Sequence, residues 1–241
     1  MHFVARRFVV TGAGSGIGRA VAARLATAGA SISLVGRDLR KLEAAAAELA
    51  PGSHDVWSVD LRDGAQIAAF ADRFLGRHAE IQGLVHSAGD FRRSRVAEGD
   101  TAATAHLMAV NALAPFQLSA ALLPLLRASR GDIVFVNSSA ARGGDASIAA
   151  YAMSKSALRA LADALRAEEN AAGVRVLSVF PGRTATPMLD AVVGSEGGGV
   201  RAERLLQPGD VAEVVVAALG LPATAEVTEL HIRPRLPPID R

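Results

Sequence analysis

Residues 11–18 read TGAGSGIG, directly after the short apolar run RFVV and directly before the alanine-rich run IGRAVAARLATAG. Glycines at positions 12, 16 and 18 allow a tight turn and let the backbone approach a pyrophosphate without a Cβ in the way. Because the next helix begins at this loop, its unpaired N–H groups and its dipole point at the phosphates. Tight strand-to-helix turns use glycine for other reasons too, but a loop after the first strand favours dinucleotide binding. The predicted contacts are Gly12, Ser15, Gly16, Ile17 and Gly18.

Short apolar runs alternate with longer helical runs along the rest of the chain. The predicted strands are Phe8–Thr11, Ser31–Gly36, Asp55–Val59, Gly83–Ser87, Asp132–Asn137, Val174–Phe180 and Glu226–Ile232. The predicted helices are Ile17–Ala28, Leu39–Leu49, Gly64–Arg77, Thr101–Ser129, Ala149–Ala172 and Pro208–Leu219. Runs such as IVFV and VLSVF are continuously apolar, which is typical of strands buried on both faces. The pattern predicts an α/β fold, a three-layer, doubly wound parallel sheet (Rossmann fold), in a single domain over residues 1–241.

Composition narrows the classes of partner and site. The chain has 241 residues, of which 50% are hydrophobic and 21% charged, so a disordered chain is excluded. Its formal charge is only +2, and the arginines cluster only at Arg92, Arg93 and Arg95, so no nucleic acid partner is expected. Cysteine is absent, which excludes disulfides and thiolate ligands, and the six histidines lack metal-ligand spacing, so no metal is expected.

Neither the first residues nor the most apolar stretch predicts a membrane or export signal. The start, MHFVARRFVV, has two arginines within a short apolar run and no small-residue cleavage site. The longest stretch without Asp, Glu, Lys or Arg lies between Asp100 and Arg127, and it contains Asn111 and Pro115. This composition is typical of a buried helix rather than a membrane span. We therefore expect no membrane association and a cytoplasmic location.

The end of the second predicted strand bears on the choice of cofactor. Enzymes that use NAD place a carboxylate there for the ribose 2′-OH, whereas those that use NADP leave room and supply an arginine for the 2′-phosphate. Here the strand SISLVG ends at Gly36 and is followed by Arg37 and Asp38. Asp38 could still reach a ribose, but Asp is also a favoured N-cap for the helix that follows. Arg37 favours NADP, with NAD as the weaker alternative.

The chain's one tyrosine, Tyr151, lies in YAMSK, four residues before Lys155. Residues four apart share a helix face, so the phenol and the ammonium are expected to point into the same space. A nearby cation favours the phenolate, lowers the tyrosine pKa and makes the group useful for proton transfer to an alkoxide.

Three further features raise the odds of a site around Tyr151. Ser138 ends the predicted strand IVFVN, Asn111 interrupts an apolar helix, and Pro181–Gly182 follows another strand. Ligands of α/β sheets bind at the carboxyl ends of strands, where these residues would meet. Each has a purely structural explanation, as a turn or a satisfied core amide, but their occurrence together favours one site.

With these motifs, the chain resembles the short-chain dehydrogenase/reductase family from about Arg7 to Ile232. The segments that carry the resemblance are TGAGSGIG, Asp60–Leu61, HSAG at 86–89, Asn111, Ser138, YAMSK and the PG pair at 181–182. The resemblance implies an NADP(H)-dependent oxidoreductase that transfers a hydride between nicotinamide and a carbonyl compound or secondary alcohol. The alternatives are an NAD(H)-dependent alcohol dehydrogenase of the same family and a non-catalytic dinucleotide sensor.

The resemblance also implies roles for individual residues. Tyr151 would give or take the proton, Lys155 would lower its pKa and bind the nicotinamide ribose, and Ser138 would hold the substrate oxygen. Asn111 would position a water that links Lys155 to solvent. The implied cofactor contacts beyond the glycine loop are Arg37, Asp60, Leu61, Ala88, Gly89, Tyr151, Lys155, Pro181, Gly182 and Thr184.

Some positions depart from the family pattern or leave a choice open. His86 and Ser87 stand where the family has two asparagines, and a neutral histidine in a hydrogen-bonding role is expected at 86. Ser139 is the alternative to Ser138. The segment Asp90–Arg95 could line the cleft mouth, where Arg92, Arg93 or Arg95 would anchor an anionic substrate or a phosphopantetheine carrier, or else lie on a solvated loop. The short region after the PG pair ends in glycines at 194–199, which predicts a substrate lid that is reduced or mobile. Assembly as a homodimer or homotetramer through the two long helices is also implied.

Overall fold

One parallel sheet organises the protein, and the computed structural model describes residues 3–93, 95–143, 146–190 and 200–237. Seven strands lie in the order β3-β2-β1-β4-β5-β6-β7, each parallel to its neighbours. They are β1 (Arg7–Thr11), β2 (Ser31–Gly36), β3 (Asp55–Ser58), β4 (Gly83–His86), β5 (Asp132–Val136), β6 (Arg175–Pro181) and β7 (Glu229–Ile232). The strand order reverses between β1 and β4, which is where such sheets form their ligand crevice. The prediction of a doubly wound parallel fold is confirmed.

Helices cover both faces of the sheet. They are α1 (Gly16–Thr27), α2 (Leu39–Ala47), α3 (Gly64–Leu75), α4 (Thr101–Met108), α5 (Ala114–Ser129), α6 (Ala149–Glu169) and α7 (Pro208–Leu219). One core contains apolar side chains of α1, α2 and α7, and the other contains side chains of α3, α5 and α6. Successive residues of β5 alternate between these cores, since Val134 belongs to the first and Phe135 to the second. This double burial is why the run from Ile133 to Val136 in β5 is continuously apolar.

The helix predicted over Thr101–Ser129 is interrupted in the structure. A π-helical turn, Ala109–Leu113, separates α4 from α5, so the prediction of a single α-helix is corrected. Pro115 provides the physical reason, because it has no N–H to donate to the carbonyl of Asn111 four residues earlier. The segment is apolar and long enough to cross a membrane by composition alone, but half of its 18-residue apolar window is buried, and α5 packs against α3. It forms part of the core beside the sheet.

A buried ion pair joins the amino ends of β5 and β6. Arg175 donates from Nε to Asp132 Oδ1 at 2.6 Å and from Nη2 to Oδ2 at 3.1 Å. Its other terminal nitrogen donates to the carbonyl of Ala225 at 2.9 Å. Burial raises the pKa of Asp132, and the bonds from Arg175 oppose that rise. The charges at this edge of the sheet are therefore paired. Neither Asp132 nor Arg175 lines the cleft at the opposite, carboxyl edge.

Candidate active site

A cleft of about 670 Å³ opens at the carboxyl ends of the strands, between the loops that follow β1 to β6. Most of the residues predicted for cofactor binding or catalysis line it. They are Gly12, Ser15, Gly16, Ile17, Arg37, Asp60, Leu61, Ala88, Gly89, Ser138, Tyr151, Lys155, Pro181, Gly182 and Thr184. Two do not, namely Gly18 and Asn111.

The glycine loop is built so that bare backbone faces the cleft. Gly12 has φ +66°, and a Cβ there would lie 2.8 Å from the Cα of Ala88. The hydroxyl of Thr11 accepts hydrogen bonds from Ser87 N and Ala88 N, both at 3.1 Å, so the loops after β1 and β4 are held together. The open cradle at the start of α1 fits the diphosphate of a dinucleotide, whose charge the helix N-terminus would stabilise.

Gly18 serves the packing of this loop. A Cβ at this position would lie 2.6 Å from the carbonyl oxygen of Gly12, so α1 can approach β1 only with glycine here. The prediction of a direct cofactor contact at Gly18 is not matched by its position behind the cleft wall. Its role is the close helix-to-strand approach that the third glycine of such loops provides.

The end of the cleft beside α2 carries several charged groups. Asp38 accepts a hydrogen bond from Lys41 N at 3.3 Å and so caps α2, as one of the two sequence interpretations had it. Arg37 and Lys41 line the cleft beside it. Arg62 donates from Nε to the two oxygens of Asp60, at 2.9 and 3.0 Å. This hydrogen bonding from Arg62 lowers the pKa of Asp60 to about 2, so the carboxylate is ionised.

Tyr151 and Lys155 lie one turn apart on α6 and are only 9% and 4% exposed. Ser138, which follows β5, also lines the cleft, and its hydroxyl acts on the Tyr151 phenol to lower its pKa. Lys155 Nζ donates to the carbonyl of Val136 at 3.0 Å and lies 6.0 Å from the centre of the tyrosine ring. Phenol, hydroxyl and ammonium therefore share one buried corner of the cleft, and the tyrosine contact falls on Ser138 rather than on Ser139.

Burial is the main influence on the electrostatics of this corner. Burial raises the pKa of Tyr151, and only the hydrogen bond with Ser138 lowers it. Burial also lowers the pKa of Lys155 to about 8. Desolvation of the phenol is thus the largest effect on the pKa of Tyr151 in this structure, and the expected lowering of that pKa by Lys155 stays a prediction.

Asn111 lies in the π turn and is fully buried. Its Nδ2 donates to the carbonyl of Asp90 and to Ser154 Oγ, both at 2.9 Å, and its Oδ1 accepts from Asp90 N at 2.8 Å. The side-chain amide thus holds the loop after β4 against α6 and does not face the cleft. Pro115 leaves the main-chain carbonyl of Asn111 without its α-helical donor.

His86 ends β4 and is 3% exposed. Its Nε2 lies 2.8 Å from Ser119 Oγ, and its ring stacks on Phe135 with centroids 4.9 Å apart. Burial lowers the pKa of His86 to about 3, so the ring is neutral at physiological pH. The expectation of a neutral, hydrogen-bonded histidine is confirmed.

Three residues that line the cleft had no individual role predicted from the sequence, although Asp90 lies in a segment expected at the cleft mouth. Asp90 and His106 form a pair with 2.6 Å between Oδ2 and Nε2. Thr186 lies against the glycine loop, since a Cβ at Gly16 would be 3.2 Å from its Cγ2. Asp90 could have been noticed as the residue directly after HSAG, and Thr186 as the second threonine after the PG pair.

Two expectations concerned the mouth of the cleft, namely the arginines at 92, 93 and 95 and the glycines at 194–199. Of the three clustered arginines, Arg93 lines the cleft, whereas Arg92 and Arg95 are exposed outside it. The glycines at 194–199, taken as a sign of a reduced lid, lie outside the described residues.

Comparison with known proteins gives consistent matches. The family model for short chain dehydrogenase matches residues 6–196. An uncharacterized oxidoreductase of Staphylococcus saprophyticus is 32% identical over 230 residues, which cover 94% of this chain and 96% of that protein. A metagenomic short-chain oxidoreductase solved in complex with NADP is 32% identical, with a TM-score of 0.84 and coverage of 98% of this chain and 100% of that one. Actinorhodin polyketide ketoreductase with NADPH is 27% identical, with a TM-score of 0.85 and coverage of 94% and 95%.

Proposed function

Because this chain belongs to the short-chain dehydrogenase family, we propose that it is an NADP(H)-dependent oxidoreductase acting on small carbonyl compounds and secondary alcohols. The observation that carries the proposal is the buried corner of the cleft that Tyr151 shares with Ser138 and with Lys155, one turn along α6. This corner opens into the same cleft as the bare backbone of the glycine loop. A non-catalytic sensor would have no need of a buried ammonium beside a buried phenol, since each costs free energy to desolvate.

Tyr151 is the proposed proton donor during reduction and acceptor during oxidation. Burial raises the pKa of its phenol, which keeps the proton in place until a substrate oxygen arrives. Ser138 would donate its hydroxyl to the same oxygen and orient it. The nicotinamide, when bound, supplies or accepts the hydride.

Lys155 is proposed to hold the nicotinamide ribose and to return the proton to Tyr151. Its pKa of about 8 places its titration close to working pH, as proton transfer requires. The main-chain carbonyl of Asn111, left without its α-helical donor by Pro115, is the proposed seat of the water that links Lys155 to solvent.

NADP is the proposed cofactor, held by the glycine loop and by the loops after β2 to β6. Asp38 is used as the α2 cap, which leaves Arg37 to face the ribose 2′-position with a phosphate as its natural partner. The NADP and NADPH named in the two structural relatives support the same choice. Asp60 is proposed to accept from the adenine amino group beside Leu61.

The proposed function predicts that Tyr151→Phe abolishes turnover. The substitution keeps the ring and removes the proton, so a rate loss of about 10²-fold or more is expected. The measurement is NADPH consumption with a fixed panel of aldehydes, ketones and β-keto esters. NADPH binding, followed by the change in its fluorescence, should be nearly unchanged and serves as the control. Wild-type turnover in the variant would remove Tyr151 from its proposed role.

The choice of cofactor predicts that Arg37→Ala weakens NADPH far more than NADH. Loss of a charge-assisted contact with the 2′-phosphate costs about tenfold or more in Kd for NADPH, whereas NADH lacks that group. Titration of both cofactors measures the ratio. Equal loss for the two would contradict the 2′-phosphate assignment and favour the NAD-dependent alternative.

The setting proposed for the enzyme is cytoplasmic, with residues 1–241 acting as one catalytic unit. A homodimer or homotetramer through α5 and α6 is proposed, because Leu113, Phe116 and Met153 are 54%, 56% and 56% exposed beside or on these helices. Large apolar side chains exposed together favour burial against a second copy.

A further inference from the structure

We propose that Asp90 and His106 are positioning residues for the proton-transfer corner, acting through Asn111 and Phe91. The inference rests on the proposed function, because it concerns the placement of Tyr151 for that chemistry. The two residues come from different elements, the loop after β4 and the last turn of α4, and both line the cleft.

The main chain of Asp90 holds the Asn111 amide at both ends. Its N–H donates to Asn111 Oδ1 at 2.8 Å, and its carbonyl accepts from Nδ2 at 2.9 Å. The same Nδ2 donates to Ser154 Oγ, which in turn donates to the carbonyl of Tyr151 at 2.8 Å. A shift of the Asp90 backbone would therefore reach the carbonyl of Tyr151 through three hydrogen bonds.

The carboxylate of Asp90 fixes that backbone from the other side. Its Oδ1 accepts from Phe91 N at 2.8 Å, and its Oδ2 lies 2.6 Å from His106 Nε2. Phe91 contacts Tyr151 edge to face, with ring centroids 4.8 Å apart. Each oxygen therefore has its own partner. If the carboxylate rotated, it would lose either its contact with His106 or its hydrogen bond from Phe91 N.

His106 is suited to anchor this arrangement because α4 is itself fixed beside the tyrosine. Leu107, the next residue, is fully buried in a small apolar cluster with Ile148 and Tyr151. The side chains of His106 and Asp90 are only 22% and 43% exposed, which makes their hydrogen bond stronger than one in bulk solvent. Arg62, on the loop after β3, also interacts electrostatically with Asp90.

The chain has one tyrosine, so protein labelled with ¹³C-tyrosine gives one signal, which reports directly on the Phe91–Tyr151 contact. His106→Leu should move or broaden that signal, and His106→Gln, whose amide nitrogen can take the place of Nε2, should restore it. His78→Leu, a half-buried histidine outside the cleft, is the matched control and should leave it unchanged.

Turnover gives the second measurement, with the panel compound that the wild-type protein reduces fastest. His106→Leu should lower kcat by about tenfold while KM for NADPH changes by less than about twofold, since misplacement of a reacting group affects the chemical step. His106→Gln should recover most of kcat. A purely structural role would instead lower the melting temperature and active fraction without moving the tyrosine signal of the folded protein.

An unchanged tyrosine signal and an unchanged kcat in His106→Leu would overturn the inference. If His106→Leu does not fold, Asp90→Asn carries the same comparison, because it weakens the bond to His106 with little change in volume. If the wild-type protein consumes NADPH with no compound of the panel, the proposed function fails, and the tyrosine signal alone decides whether His106 positions Tyr151.

Discussion

The two ends of β5 hold two buried charges that are treated in opposite ways. At the amino end, Asp132 is held by two hydrogen bonds from Arg175, so each charge has a partner of opposite sign. At the carboxyl end, Lys155 Nζ donates to the carbonyl of Val136, and no carboxylate among the described residues pairs with it. One edge of the sheet neutralises its charge, while the other keeps an ammonium unpaired where a ligand can reach it.

This contrast separates a structural site from a candidate functional one without reference to any relative. A buried cation without a counter-charge is costly, so a fold retains it only where something else benefits from it. The paired edge should therefore respond to mutation mainly in stability, and the unpaired edge mainly in activity and pH dependence.

The largest effect is expected from Arg175→Met. Removal of the guanidinium leaves the Asp132 carboxylate buried without a partner, which should lower the free energy of unfolding by about 3 kcal/mol. Urea unfolding followed by circular dichroism measures the loss. The double variant Asp132→Asn with Arg175→Met should recover most of it, because no unpaired charge remains. Wild-type stability of the single variant would show that solvent already screens the pair.

Lys155→Met should lose activity but not stability at neutral pH. Because burial lowers the pKa of Lys155 from 10.5 to about 8, the folded protein binds fewer protons than the unfolded chain between these pH values. Its stability therefore rises with pH across that window, and the penalty below pH 8 is about 3 kcal/mol. The variant lacks this penalty.

Unfolding free energies of the wild-type protein and of Lys155→Met, compared at each pH from 7 to 10.5, test this expectation. Taking the difference at one pH removes the contributions of the other titrating groups. The variant should be the more stable at pH 7, and its advantage should shrink as the pH rises. A constant difference would mean that Lys155 is solvated in the folded protein.

The smallest effect concerns the pKa of Tyr151. A ¹³C-tyrosine titration of the ligand-free protein should give a pKa above the ordinary value of 10.0, because burial opposes the phenolate. Ser138→Ala should raise it further, since the interaction with Ser138 lowers the pKa. Lys155→Met should change it less than Ser138→Ala does. A pKa below 10 would show that the ammonium outweighs burial.

Much of the fold followed from sequence pattern. The seven apolar runs became the seven strands with small changes at their ends, such as β7 beginning at Glu229 instead of Glu226. For inner strands such as β5, period and length suffice because a strand buried on both faces is mostly apolar. The Tyr151–Lys155 spacing likewise placed both groups in one cleft, since helical periodicity fixes which residues share a face.

The missed features depend on distances between elements. Asp90 and His106 are separated by 16 residues, and only the packing of α4 against the loop after β4 brings them to 2.6 Å. Whether the pKa of Tyr151 is raised or lowered depends on how deeply the phenol is buried, and a sequence pattern does not give that depth. Gly18 was assigned to the ligand because a strand-to-helix glycine can serve either the ligand or the packing, and the two uses look alike in sequence.

The π turn at Ala109–Leu113 changes the direction in which the side chains of α5 point relative to those of α4. One additional residue in a turn rotates the next helix by roughly 100° relative to an uninterrupted one. That rotation lets His106 of α4 face the cleft while Leu118 and Leu122 of α5 face the sheet. A single helix without this offset would have to expose one of these two faces. The five-residue π turn thus allows one continuous helical segment both to line the cleft and to pack in the core beside the sheet.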